Sequence, residues 1–226
     1  MMKQPQSFHD LVRRRQSCRQ FLTDPLGAAQ IESVLQDAQR APSNCNTQPW
    51  KVHIVSGTTR ASLTKVLIEH AENAHFSPDF TWDELAFPDA LDARRRAQGK
   101  VYYEALGIAH SNKAGRHEAM LRNLSFFGAP HVAFLFMPAV GDSVRIASDM
   151  GMYAQTFLLS LTAHGFAGIP QTLLGLFASP IRAHLGVPDE MKLLFGISFG
   201  YADPAGLAAA LAMPREPISD SCILHD

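Results

Sequence analysis

Apolar and polar positions alternate between two periods along almost the whole chain. Phe8, Leu11 and Val12 predict a short amphipathic helix that runs into a cluster of arginines. Ile31, Val34, Leu35 and Ala38 predict a second helix, stopping near Pro42, with a loop from Pro42 to Pro49 behind it. Lys51 to Val55 reads as a strand, and Leu63, Val66, Leu67, His70 and Ala71 stripe the helix that follows. His131 to Met137 is a strand starting after Pro130. Ala147, Met150, Gly151, Ala154, Phe157, Leu158 and Leu161 hold helical spacing over four turns, with apolar residues on other faces too, which predicts a buried helix. Its small residues suit close packing against a partner subunit or against the chain's own core. Leu193 to Phe199 is the last strand, ending at Gly200.

The stretch 76–126 follows neither period cleanly. It holds two helices, one through Arg94 to Leu106 and one through Glu118 to Phe126, behind an aromatic and polar lead-in, and reads as a helical excursion or lid. Prolines and glycines are scattered as punctuation rather than gathered into a linker, and no repeat appears, so residues 1–226 read as a single domain.

With 226 residues and 46% apolar side chains the chain can bury one substantial core. Twenty Lys and Arg against 21 Asp and Glu leave no global basic field, which argues against nucleic acid or an anionic membrane as partner. No stretch reaches the ~18 apolar residues of a spanning helix, and the N-terminus lacks a secretory run, so the cytoplasm is expected. Cys18, Cys45 and Cys222 have no metal-binding or disulfide-framework spacing, which predicts reduced thiols and no structural metal. The histidines, His9 and His53 among them, show no ligand or triad spacing. A Gly-x-Gly-x-x-Gly fingerprint after a strand is missing, which disfavours a nicotinamide held on a Rossmann domain.

Two segments carry candidate chemistry. Arg13-Arg14-Arg15-Gln16-Ser17-Cys18-Arg19-Gln20-Phe21 puts guanidinium groups and a hydroxyl where a helix ends, a set able to hold a phosphate; three adjacent arginines equally describe a solvated helix face. In Ala41-Pro42-Ser43-Asn44-Cys45-Asn46-Thr47-Gln48-Pro49-Trp50, two prolines fix a loop rich in groups that donate and accept at once. That suits the edge of a heteroaromatic ring, or a turn with local Asx bonds.

Arg-x-Ser-x-Arg-x-Phe followed by Ala-Pro-Ser-x-x-Asn-x-Gln-Pro-Trp resembles the nitroreductase family. The resemblance continues through Phe126-Phe127-Gly128-Ala129-Pro130, Asp149-Met150-Gly151 opening the long helix, a Gly168-Ile169-Pro170-Gln171 turn, Leu185-Gly186-Val187-Pro188 and Gly196-Ile197-Ser198-Phe199-Gly200-Tyr201. It implies an α+β fold with a central, mostly antiparallel sheet flanked by helices, in an intertwined homodimer with FMN between the subunits. Position by position, Arg15, Gln16, Ser17 and Arg19 match the segment that holds the FMN phosphate and ribityl chain, Arg19 also nearing the pyrimidine edge, and Arg215 matches an arginine that closes on the phosphate. Pro42, Ser43, Asn44 and Asn46 match a loop laid on the flavin by the second subunit. Pro170, Gln171, Thr172 and Leu173 match the segment over the far face, where a backbone N–H meets N5. Gln16 stands where a basic residue is common, Asn44 where Gly or Ser is usual, and Met213 where relatives are often basic.

The implied activity is hydride transfer from diffusible NADH or NADPH through flavin N5 to a nitroaromatic, quinone or similar small electron-poor acceptor, in a ping-pong cycle with no side-chain base. Flavin destruction, reductive dehalogenation, heterocycle oxidation and simple flavin binding share the same motifs. For the acceptor pocket the sequence offers Phe76, Phe80, Trp82, Tyr102, Tyr103 and Leu106, each equally suited to core packing.

Overall fold

A computed structural model describes residues 7–81, 83, 86–206, 211 and 213–225. Its centre is β2 (His131–Pro138), which pairs antiparallel with β1 (Lys51–Ser56) on one side and β4 (Met191–Gly200) on the other; β3 (Ala167–Gln171) completes the order β1-β2-β4-β3, antiparallel throughout. Successive side chains of a strand leave on opposite faces. Val132, Phe134 and Phe136 therefore enter one core and Ala133, Leu135 and Met137 the other. Both faces are covered, so the strand is an unbroken apolar run instead of an alternating one.

On the first face Leu63 and Leu67 of α3 (Gly57–Glu72), Leu124 of α5 (Lys113–Leu124) and Ile181 of α7 (Ala178–Leu185) close the core. On the second, α2 (Ala28–Ala38) contributes Val34 and Ala38, and α6 (Val144–Ala163) contributes Met150, Tyr153, Ala154, Phe157, Leu158 and Leu161. Removing one of these phenylalanines would cost about 3–5 kcal/mol in lost transfer and cavity energy.

α1 (Phe8–Arg14) is capped by Ser7, whose Oγ accepts the Asp10 amide at 3.2 Å, and it ends with Arg13 and Arg14 on the favourable side of the helix dipole. α4 (Asp89–Ala105) buries none of its residues, and with α5 it forms the stretch expected as an excursion.

Four details differ from the sequence reading. Gly168 to Gln171 is the edge strand β3, not a turn; an edge position tolerates Pro170, which has no N–H to give. The helix expected through Phe126 ends at Leu124 and gives way to a 3-10 turn, Phe126–Gly128. Asp149 lies one turn inside α6, which opens at Val144. The unforeseen α7 stops at Gly186, whose φ of 65° is the left-handed cap. Of the small residues on α6, Ala154 is buried in this chain's core, while a Cβ on exposed Gly151 would meet nothing within 4 Å.

Candidate functional site

Beyond α1 the backbone turns extended, and residues two apart share a side. Arg15, Ser17 and Arg19 fall on one side, and Gln16 and buried Cys18 on the other. Exposed Gln16 is thus not gathered with its neighbours, and the arginine cluster splits: Arg13 and Arg14 are solvated, Arg15 is half-buried.

This segment is stitched down on both sides. Ser17 bridges in parallel to Gly168, and the Cys18 amide donates to Gly168 O at 3.2 Å. A Cβ at Gly168 would come within 2.8 Å of Leu161 Cδ1 and 3.0 Å of Leu158 Cδ2, so a larger residue there would force those leucines to shift. Arg122 of α5 donates to Arg19 O at 2.9 Å, Gln20 Nε2 donates to Asp203 at 2.9 Å, and the Leu22 amide donates to Tyr201 O at 2.9 Å. Further on, the Leu26 amide donates to His131 Nε2 at 2.8 Å. An accepting Nε2 puts the proton of the neutral ring on Nδ1, facing Ser56 Oγ at 2.5 Å. Burial, then Arg60, holds His131 below its ordinary value and keeps it neutral.

Burial lowers the guanidinium pKa of Arg15 and of Arg19; the positive charge of Arg215 adds to the effect on Arg15. Among the described residues Arg215 donates only to its own segment, the carbonyls of Met213 and Pro214 at 3.0 Å each. Among the described residues no carboxylate pairs with Arg15, Arg19 or Arg215. The guanidinium of Arg19 lies 5.1 Å over the Tyr102 ring, whose own hydroxyl is buried without a hydrogen-bond partner among the described residues. Burial raises the Tyr102 pKa, so its phenol stays a donor. Three cations and a hydroxyl, lacking anions of their own, form a donor set that fits FMN: Arg15 and Arg215 for the phosphate, Ser17 for the ribityl chain, Arg19 for an electron-rich ring edge.

Arg19 opens onto a cavity of about 1200 Å³, walled on one side by Ile169 to Leu173 and on the other by α4 and the start of α5. Pro170, Gln171, Thr172 and Leu173 all line it. The Gln171 side chain is committed elsewhere: Nε2 donates to Asn123 O at 2.9 Å, and Oε1 accepts from Ser198 Oγ. Only its backbone remains for a ligand. Of the aromatic residues suggested by sequence, Tyr102 and Tyr103 line the cavity. Phe76 packs on Phe177 at 5.6 Å and Phe80 against the α2–α6 core, and neither they nor Leu106 are among the lining residues; Trp82 lies outside the described residues. Phe87, Ile108, Asn123 and Phe127 line the cavity without having been foreseen. Phe127 lies in a motif of the family resemblance that carried no pocket assignment, and nothing in their local sequence marked the other three; long-range packing does.

Pro42, Ser43, Asn44 and Asn46 do not reach this cavity. Their loop is exposed yet tightly braced. Buried Asp149 accepts the Asn44 amide at 3.1 and 3.2 Å, and Ser43 Oγ accepts the Gln48 amide at 2.9 Å. Trp50 donates to Gln39 and stacks on Tyr153 at 4.9 Å; burial pushes that phenol up to about 12. Cys45, Asn46 and Gln48 have φ of 50°, 55° and 48°, left-handed values that cost free energy in residues other than glycine and that the bracing sustains. The Asn46 backbone N–H donates to Ser43 O at 3.0 Å and its carbonyl accepts from Gln48 Nε2 at 3.2 Å, while its side-chain amide bonds to no described residue.

The nitroreductase family model matches residues 12–201. The chain is 41% identical to nitroreductase NfnB of Mycolicibacterium smegmatis over 96% of this chain and 92% of that one. It is 33% identical to a 4-nitrobenzoate reductase of Pseudomonas putida, over 92% and 91%. The crystal structure of the FMN-dependent nitroreductase NfnB from Mycobacterium smegmatis in complex with NADPH superposes with a TM-score of 0.92 at 40% identity, covering 96% of this chain and 97% of that one.

Proposed function

Since the chain belongs to the nitroreductase family, we propose that it is an FMN-dependent oxidoreductase that takes reducing equivalents from NAD(P)H and passes them to nitroaromatic, quinone or similar electron-poor acceptors. The observation that carries the reading is a set of arginines without carboxylate partners among the described residues: Arg15 close enough to Arg215 to feel its charge, and Arg19, two residues beyond Ser17, opening onto a cavity lined by Pro170 to Leu173. When bound, FMN supplies reversible uptake and release of hydride. The chain's own part is to bind and orient. Arg15 and Arg215 hold the phosphate, Arg19 offers positive charge to the ring edge that becomes electron-rich on reduction, and the backbone of 170–173 lies along one wall. Donor and acceptor enter the same cavity in turn, which gives a ping-pong order without a side-chain base.

The braced 42–48 loop is proposed to serve the equivalent site of a second copy, so that a homodimer completes two sites. That it does not line its own cavity, and that the exposed Asn46 side chain bonds to no described residue, support this. The cytoplasm is the proposed compartment, in keeping with three unpaired cysteines and, among the described residues, no helix able to cross a membrane. The test is direct: the purified protein should carry oxidised flavin released as FMN on denaturation, and should consume NAD(P)H steadily with a nitroarene. Flavin without turnover would leave a binding protein; no flavin would end the proposal.

A further inference from the structure

The phosphate of FMN is answered by Arg15 and Arg215, neither of which lines the cavity. A second pool of positive charge does. Arg95, Arg96 and Lys100 from α4 and Arg116 from α5 face it, against one carboxylate, Glu104, among the described lining residues. We propose that this α4–α5 wall recognises an anionic group on one of the two redox partners, either the 2′-phosphate of NADPH or a carboxylate on an aromatic acceptor. The proposal rests on the reductase reading above.

The wall is organised. Asp92 lies behind it, one turn back on α4, and accepts from Arg95 Nε at 2.9 Å and Nη2 at 2.7 Å and from Arg96 Nε at 2.6 Å. A single carboxylate thus orients two guanidinium groups. Arg116 is set by stacking 4.7 Å over the Tyr103 ring. On the same helical face, one turn from Arg95 and one from Tyr103, stands Gly99. Mid-helix glycine costs about 1 kcal/mol against alanine. No packing demands it here, since a Cβ would meet nothing within 4 Å. What the missing side chain provides is room on the cavity wall, between the guanidinium groups and the Tyr103 ring, where a planar or phosphate-bearing ligand can lie close to the helix.

Arg96 and Lys100 are 76% and 75% exposed, so each contact is screened by water and salt. A few such contacts together are worth on the order of tenfold in affinity.

The experiment uses the FMN-loaded enzyme with two matched pairs, NADPH against NADH with nitrobenzene as acceptor, and 4-nitrobenzoate against nitrobenzene with NADPH as donor. Binding of NADP+ against NAD+ and of each acceptor, by calorimetry, accompanies kcat/KM. The wild type should favour the anionic member of at least one pair roughly tenfold, more at low salt, and the pair that responds identifies the source of the anion. Arg96→Gln with Arg116→Gln should bring that ratio within about twofold while FMN content stays at wild-type level. Gly99→Glu, which has space and better helix propensity, should do the same by setting a negative charge in the wall, and serves if the double variant does not fold. A wild type that holds FMN and oxidises NAD(P)H but shows no preference in either pair overturns this proposal alone, as does a preference that survives Gly99→Glu. A wild type without reductase activity overturns it together with the reading beneath it.

Discussion

The 15–19 segment and the 42–48 loop are both rich in polar side chains, and they are built in opposite ways. The first is half-buried, relaxed in an extended backbone, and leaves Arg15 and Arg19 without a carboxylate partner among the described residues. The second is exposed, holds three left-handed residues, and is braced from behind by Asp149 while it faces away from that cavity. Unpaired half-buried charge identifies a place where a ligand arrives. A strained but firmly anchored exposed loop identifies a part presented to something outside the chain. On the proposed reading they are two halves of one kind of site, held by different copies.

The largest expected effect separates the halves genetically. Arg15→Ala with Arg19→Ala in one protein, and Asn44→Ala with Asn46→Ala in another, should each abolish activity. Subunit exchange between them should restore about a quarter of wild type, because roughly half the dimers are mixed and each then has one intact site. No recovery, with exchange verified by mass, would mean that both halves serve one chain.

Next in size, Arg19→Ala and Arg215→Ala should each weaken FMN binding roughly ten- to a hundredfold, the worth of a charge-assisted contact, while Arg13→Ala on the solvated end of α1 should not. Flavin titration decides it; an effect at Arg13 alone would shift the register of the arginine segment.

The arginine segment was legible only in part: the resemblance picked out Arg15, Ser17 and Arg19 but took exposed Gln16 with them, which the period of two in an extended segment sets on the opposite side. The sheet was legible because Val132 to Met137 of β2 is an unbroken apolar run after Pro130 and Leu193 to Ile197 of β4 is a shorter run ahead of Gly200. β3 was not, since Gly168 and Pro170 read as a turn until the sheet edge that tolerates them is known. Aromatic type could not say whether a ring turns to the cavity, as Tyr102 does, or to the core, as Phe80 does. Nor could the amide of Gln171 reveal that it would turn inward to Asn123 and Ser198. Those choices are settled by partners far away in sequence.

A smaller effect tests the bracing of the loop. Asp149→Ala removes the acceptor of the Asn44 amide, and water replaces it in part, so the loop should open more easily by about 1 kcal/mol. Amide exchange at Asn44 and Gln48 should quicken severalfold, with little change at Cys18; equal acceleration at both would make Asp149 a general core residue.

The smallest effect acts on the other half. His131 is held neutral with its folded pKa depressed below the ordinary value of about 6.5, so protonation favours the unfolded chain. Its contribution to stability is complete above about pH 6.5 and is lost as pH falls below that value toward the folded pKa. Protonated Nε2 would also face the Leu26 amide donor to donor. Exchange at Leu26 should therefore quicken on mild acidification, with the 43–48 amides unaffected once intrinsic pH dependence is removed; an unchanged Leu26 would show that the ring is not the pinning acceptor.

The central claim is that Arg15 and Arg215 are arranged for the phosphate of FMN, and the most direct measurement compares FMN with riboflavin, which lacks only that group. The apoprotein should bind FMN about a hundredfold or more tightly than riboflavin, and Arg15→Ala with Arg215→Ala should erase most of the difference by weakening FMN alone. Equal binding of the two flavins by the wild type, or a preference for FMN that persists in the double variant, would contradict it.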